Sequence, residues 1–117
     1  AIDSKLNFFH NDAQGLISTP YVKEMGVDLY NFSFEHSMKE IRKLAGPEVA
    51  LIGNLPPRDV LAAGTPEQVR VETRKMVKEF GDKNRVIWSC GGGMPQDVTT
   101  ENIKAFKETI DEEVPKL

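Results

Sequence analysis

Three side chains in this sequence differ usefully as electron-pair donors. His10 and Asp12 follow the apolar pair Phe8-Phe9 in "KLNFFHNDAQG", and Cys90, the single cysteine, closes the run "RVIWSC". Imidazole, carboxylate and thiolate together make an N/O/S set that suits zinc, with a fourth position left for water or substrate. No local metal signature such as a Cys-x-x-Cys pair accompanies them. The same residues therefore also fit a plainer role, with His10 and Asp12 as hydrogen-bonded strand-end residues and Cys90 as a small buried hydrophobe. Glu35 and His36 in "FEHS" are further candidates, as a ligand or a ligand's partner, or as polar loop residues before the next helix. "CGGGMP" has glycines that would let backbone N–H groups approach an anion, but it lacks a P-loop lysine and dinucleotide spacing.

These residues are far apart in the chain, so the elements between them must bring them together. Apolar, β-rich runs alternate with amphipathic stretches four times. A strand is expected from about Leu6 to His10, then a helix around Thr19 to Met25 with Pro20 in its first turn. A second strand in "VDLYNFSF" leads to a helix in "SMKEIRKLAG", where Ser37 can cap and Gly46 can terminate. "EVALIGNLPP" reads as a strand buried on both faces, and Pro56-Pro57 as a rigid turn after it. "TPEQVRVETRKMVKEFG" offers Thr65 and Gln68 as a capping box, with Val69, Met76, Val77 and Phe80 on one stripe. "RVIWSC" is the fourth strand, and "TTENIKAFKETIDEEV" the last helix.

The order βαβαβαβα defines one structural unit over residues 1–117. Four such units either close as a small flavodoxin-like sheet or form half of an eight-stranded barrel. If the strands are parallel, His10, Asp12, Asn31, Ser33, Glu35, Asn54 and Cys90 all fall near strand C-terminal ends, the catalytic rim of a barrel. A half barrel leaves two strand edges and apolar surface that need a partner. The chain is accordingly expected to be a fragment lacking an N-terminal barrel half or a self-associating half barrel, inactive by itself.

Composition narrows the function classes. Fifteen basic against eighteen acidic residues, with no long block of either sign, leave no footprint for nucleic acid or anionic membrane. One cysteine excludes an internal disulfide, and no apolar run approaches the roughly 20 residues that span a bilayer. A reducing, cytoplasmic setting is expected.

"VALIGNLPPRDVLAAGTPEQV" followed by "SCGGGMPQDVTTENIKAF" resembles the C-terminal half of the uroporphyrinogen decarboxylase superfamily, closest to its cobalamin-dependent (corrinoid) methyltransferase branch. The resemblance covers almost the whole chain and implies strands five to eight of a (β/α)8 TIM-type barrel. The decarboxylases carry Gly-His-Gly where this chain has Cys90-Gly91. The methyltransferases place a His-x-Cys after one strand and a Cys-Gly after the last, together holding zinc. His10 and Cys90 match that pattern, and Asp12 stands where the first of those cysteines would be. The resemblance implies a zinc site at His10, Asp12 and Cys90, with Glu35 as a fourth ligand displaced by substrate and Asn54 as a polar rim contact. Zinc would lower the pKa of an acceptor thiol and present the thiolate to a methylated corrinoid on a partner protein. Replacing His10 or Cys90 is then expected to abolish metal binding and methyl transfer together. The competing expectations are a decarboxylase of a tetrapyrrole or other carboxylate, and a non-catalytic half-barrel assembly module.

Overall fold

A computed structural model describes residues 6–11 and 16–117 of the chain. Four strands form one sheet: β1 (Phe8–Asn11), β2 (Leu29–Phe32), β3 (Ala50–Leu55) and β4 (Val86–Cys90). All neighbours are parallel and the order is sequential, β1-β2-β3-β4. His10 pairs with Asn31, Asn31 with Ile52, and Ile52 with Ile87 across the sheet.

Three α-helices join or follow the strands: α1 (Met38–Ala45), α2 (Pro66–Phe80) and α3 (Thr100–Glu113). Each begins at a residue whose hydroxyl accepts from an otherwise unpaired N–H of the first turn: Ser37 from Glu40, Thr65 from Gln68, and Thr99 from Asn102. At α2 the Gln68 side chain returns the bond to the Thr65 N–H and completes the capping box.

The first connection departs from expectation. Thr19–Tyr21 forms a short 3-10 turn, not an α-helix, and the chain winds on through turns to Gly26 at φ +79°. So short a stretch between Pro20 and a left-handed glycine leaves no room for the costly first helical turn to propagate. After β3, Pro57–Ala62 adopts a wide π-type turn in which Leu61 and Ala63 donate to carbonyls five residues back, those of Pro56 and Arg58.

Strand alternation decides what each face of the sheet meets. Tyr30, Phe32, Leu51, Leu55 and Cys90 point to the side covered by helices, where two packed clusters form. One gathers Tyr30, Phe32, Leu51 and Phe80 with Ile41 of α1; the other gathers Leu55, Leu61 and Cys90 with Val69 of α2 and Ala105 of α3. The opposite face presents Phe8, His10, Asn31, Ile52, Ile87 and Ser89, with Phe8 58% and Ile87 49% exposed. A flavodoxin-like fold would reorder the strands and cover both faces. A sequential parallel sheet with helices on one side alone is half of a (β/α)8 barrel, its open face the barrel interior.

At the opposite rim, Arg42 of α1 donates to four carbonyls, those of Gly46, Val49, Asn84 and Arg85. That guanidinium ties the end of α1 to the starts of β3 and β4. Among the described residues no helix is long and apolar enough to cross a membrane.

Candidate functional site

His10 lies on the open face of β1, where in-register pairing puts it beside Asn31 of β2. Its Nδ1 is 2.6 Å from Asn31 Oδ1. Asn31 is 5% exposed, and its amide nitrogen donates to Ile52 O at 2.7 Å and Cys90 O at 3.4 Å. One asparagine thus joins all four strands at the level where the open face carries its imidazole. A shallow cavity of about 330 Å³ opens there, lined by Phe8, His10, Asn31, Ile52, Ser89, Gly92 and Gly93. Among the described residues, the lining holds no carboxylate, lysine or arginine.

Cys90 lies elsewhere. It is 3% exposed and packs under the helices with Leu55, Leu61, Val69 and Ala105. It is three residues beyond Ile87, an odd step along a strand, so it faces away from the surface that carries His10. Its thiol donates to Gly92 O at 3.2 Å. Burial pushes the thiol's pKa up, and a hydrogen bond with Ser89 offsets this only in part. A zinc ion shared by His10 and Cys90 does not fit this arrangement. Asp12 lies outside the described residues, and among those described no three His, Cys, Asp or Glu side chains converge as a metal site.

Glu35 is exposed on the loop between β2 and α1, its N–H donating to Ser33 Oγ at 3.3 Å, and it is not part of the cavity lining at His10. Asn54, expected as a polar contact on the rim, is instead engaged toward the helices. Its amide donates to His36 O and its N–H to Met76 Sδ. It borders a second cavity, of about 450 Å³, between α1 and α2.

Asn31 is the residue to which the sequence assigned a place but no role. The available signal was a lone amide in the middle of the apolar run "DLYNF", where β-strands are depleted in asparagine. Gly91 matters for a related reason: a Cβ there would come within 2.7 Å of Phe34 N, so the end of β4 lies tight against the loop after β2.

Residues 3–113 match the family model for uroporphyrinogen decarboxylase. The chain belongs to the uroporphyrinogen decarboxylase family. Relatives within it include the uroporphyrinogen decarboxylases of Chlorobium luteolum, 28% identical, and Chlorobaculum parvum, 30% identical, each over 111 residues. Both alignments cover 92% of this chain, which spans about 30% of the length of those two relatives. Among solved structures, a methyltransferase from Methanosarcina mazei superposes with a TM-score of 0.78 at 18% identity, over 92% of this chain and 31% of that one. That likeness shows the fold of this family member to be part of a TIM-type barrel.

Proposed function

We propose that the chain forms part of the active-site wall of a methyl-transferring barrel enzyme, in which a methylated corrinoid on a partner protein donates to a small acceptor such as a thiol. The remaining strands would come from a preceding segment or a second copy. The observation that carries this reading is the lining around His10, whose described residues are uncharged side chains around one imidazole held in place by Asn31. A small protic acceptor suits such a wall. A polycarboxylate substrate would call for cationic side chains, and the described residues of this wall offer none. The likeness to the Methanosarcina mazei methyltransferase supports the choice at the level of fold.

In the proposed reaction His10 accepts the acceptor's proton as its lone pair attacks the methyl carbon. The carbon–cobalt bond breaks with its electron pair remaining on the corrinoid. Asn31 holds the ring, and Phe8 and Ile52 exclude water from the apolar side of the cavity.

The names of the curated relatives favour a second reading, decarboxylation of a tetrapyrrole carboxylate. One pair of assays separates the two. The protein, with the remaining barrel strands supplied, is mixed with methylcobalamin and a small thiol, with the corrin absorbance monitored, and in parallel with uroporphyrinogen, with carbon dioxide measured. Demethylation of the corrinoid that His10→Ala abolishes supports methyl transfer. Carbon dioxide release without demethylation supports the second reading, and turnover of neither by the completed barrel would leave an assembly module.

A further inference from the structure

We propose that Asn31 is a positioning residue that fixes His10 in one tautomer, with the proton on Nδ1 and the lone pair of Nε2 offered to the cavity. This deepens the reading above by naming what sets His10's role, although the tautomer does not depend on which reaction the wall serves.

The orientation of the asparagine amide is settled by its own partners. Its nitrogen has two carbonyls before it, Ile52 O and Cys90 O, which can only accept. The NH₂ group must therefore face them, and Oδ1 must face His10. An amide oxygen cannot donate, so the 2.6 Å contact requires a hydrogen on His10 Nδ1. A neutral imidazole with its proton there has an unprotonated Nε2, fit to take a proton or to ligate a metal but unable to donate a hydrogen bond. Oriented histidines at metal and base sites are held by a partner on the other ring nitrogen in this way. Here the partner is itself held by backbone of β3 and β4, so the imidazole's role is tied to closure of the sheet.

The test is NMR of protein labelled with ¹⁵N-histidine, at about pH 9, where imidazole is neutral. Ring nitrogens are read through the non-exchanging carbon-bound protons. The chain has two histidines, and His10→Gln assigns the signals. Wild type should show a protonated Nδ1 and a bare Nε2 at His10. Asn31→Asp keeps the acceptor but gives up the donor to Ile52 O and Cys90 O; in folded protein it should preserve that pattern, and Asn31→Leu should shift the ring toward Nε2–H. Loss of the partner should also lower methyl transfer on the order of 10–100-fold in Asn31→Leu. An Nε2–H ring in wild type overturns the proposal, as does an unchanged Nδ1–H ring in folded Asn31→Leu. Should neither variant fold, the ring of wild type still decides the tautomer. Absence of methyl transfer by the completed barrel, with the tautomer as stated, would refute the functional reading and leave this one standing.

Discussion

Cys90→Ala separates a thiol that packs from one that ligates. Cys90 is 3% exposed among Leu55, Leu61, Val69 and Ala105, so removing its sulfur deletes about one methylene's worth of buried volume and leaves a small hole. The lost transfer energy and the residual cavity together amount to about 1–2 kcal/mol. For a domain of this size that is a fall of roughly 4–16 °C in Tm. The assay is thermal unfolding of wild type and variant, with elemental analysis of the same preparations. The expected result is a lower Tm with an unchanged metal-to-protein ratio, whereas His10→Ala, on the open face, leaves Tm nearly unchanged. Near-stoichiometric zinc in wild type that disappears in Cys90→Ala would refute the packing described above, because it would require the thiol to reach the surface that carries His10. An unchanged Tm would refute the burial equally.

Arg42→Met removes four hydrogen bonds from a guanidinium to carbonyls of the α1, β3 and β4 ends. With water taking over at the exposed carbonyls, the cost should be roughly 2–4 kcal/mol by urea unfolding, and a loss under about 0.5 kcal/mol would show that the clamp is dispensable. Gly91→Ala places a methyl within 2.7 Å of Phe34 N and 2.9 Å of its Cα, so backbone must move. A loss of about 1–3 kcal/mol is expected, with weaker substrate binding at the cavity bordered by Gly92. Burial pushes the Glu113 carboxyl's pKa up, but the Arg74 hydrogen bond and the charges of Lys116, Lys78 and Arg74 outweigh it and hold the group below its usual range. A depressed folded-state pKa adds stability above the unfolded value of about 4.3 and loses it as pH falls through the folded value. Urea midpoints between about pH 3 and 6 should therefore fall less steeply for Glu113→Gln than for wild type; equal slopes would exclude the effect.

Much of this protein was legible in its sequence because the relevant information is local. Apolar runs marked β3 and β4, and the hydroxyl residues Ser37, Thr65 and Thr99 marked helix starts because each can satisfy an N–H within three residues of itself. The motif "LIGNLPPRDVLAAGTPEQV" pointed to the family that the match over residues 3–113 establishes. The segment after β1 misled because a partly apolar stretch with a proline in its first turn reads as helix even when a glycine at positive φ ends it too soon. Nothing local says which face of a strand is the barrel interior. That was decided by the sequential order of the sheet and by α1, α2 and α3 all covering one side of it. The same decision turned Cys90 away from His10, since strand neighbours an odd number apart face opposite ways. It also brought Asn31 beside His10 through register alone, across 21 residues of sequence. Donor types are written in the sequence, but whether donors share a surface depends on sheet register and on which face the helices bury.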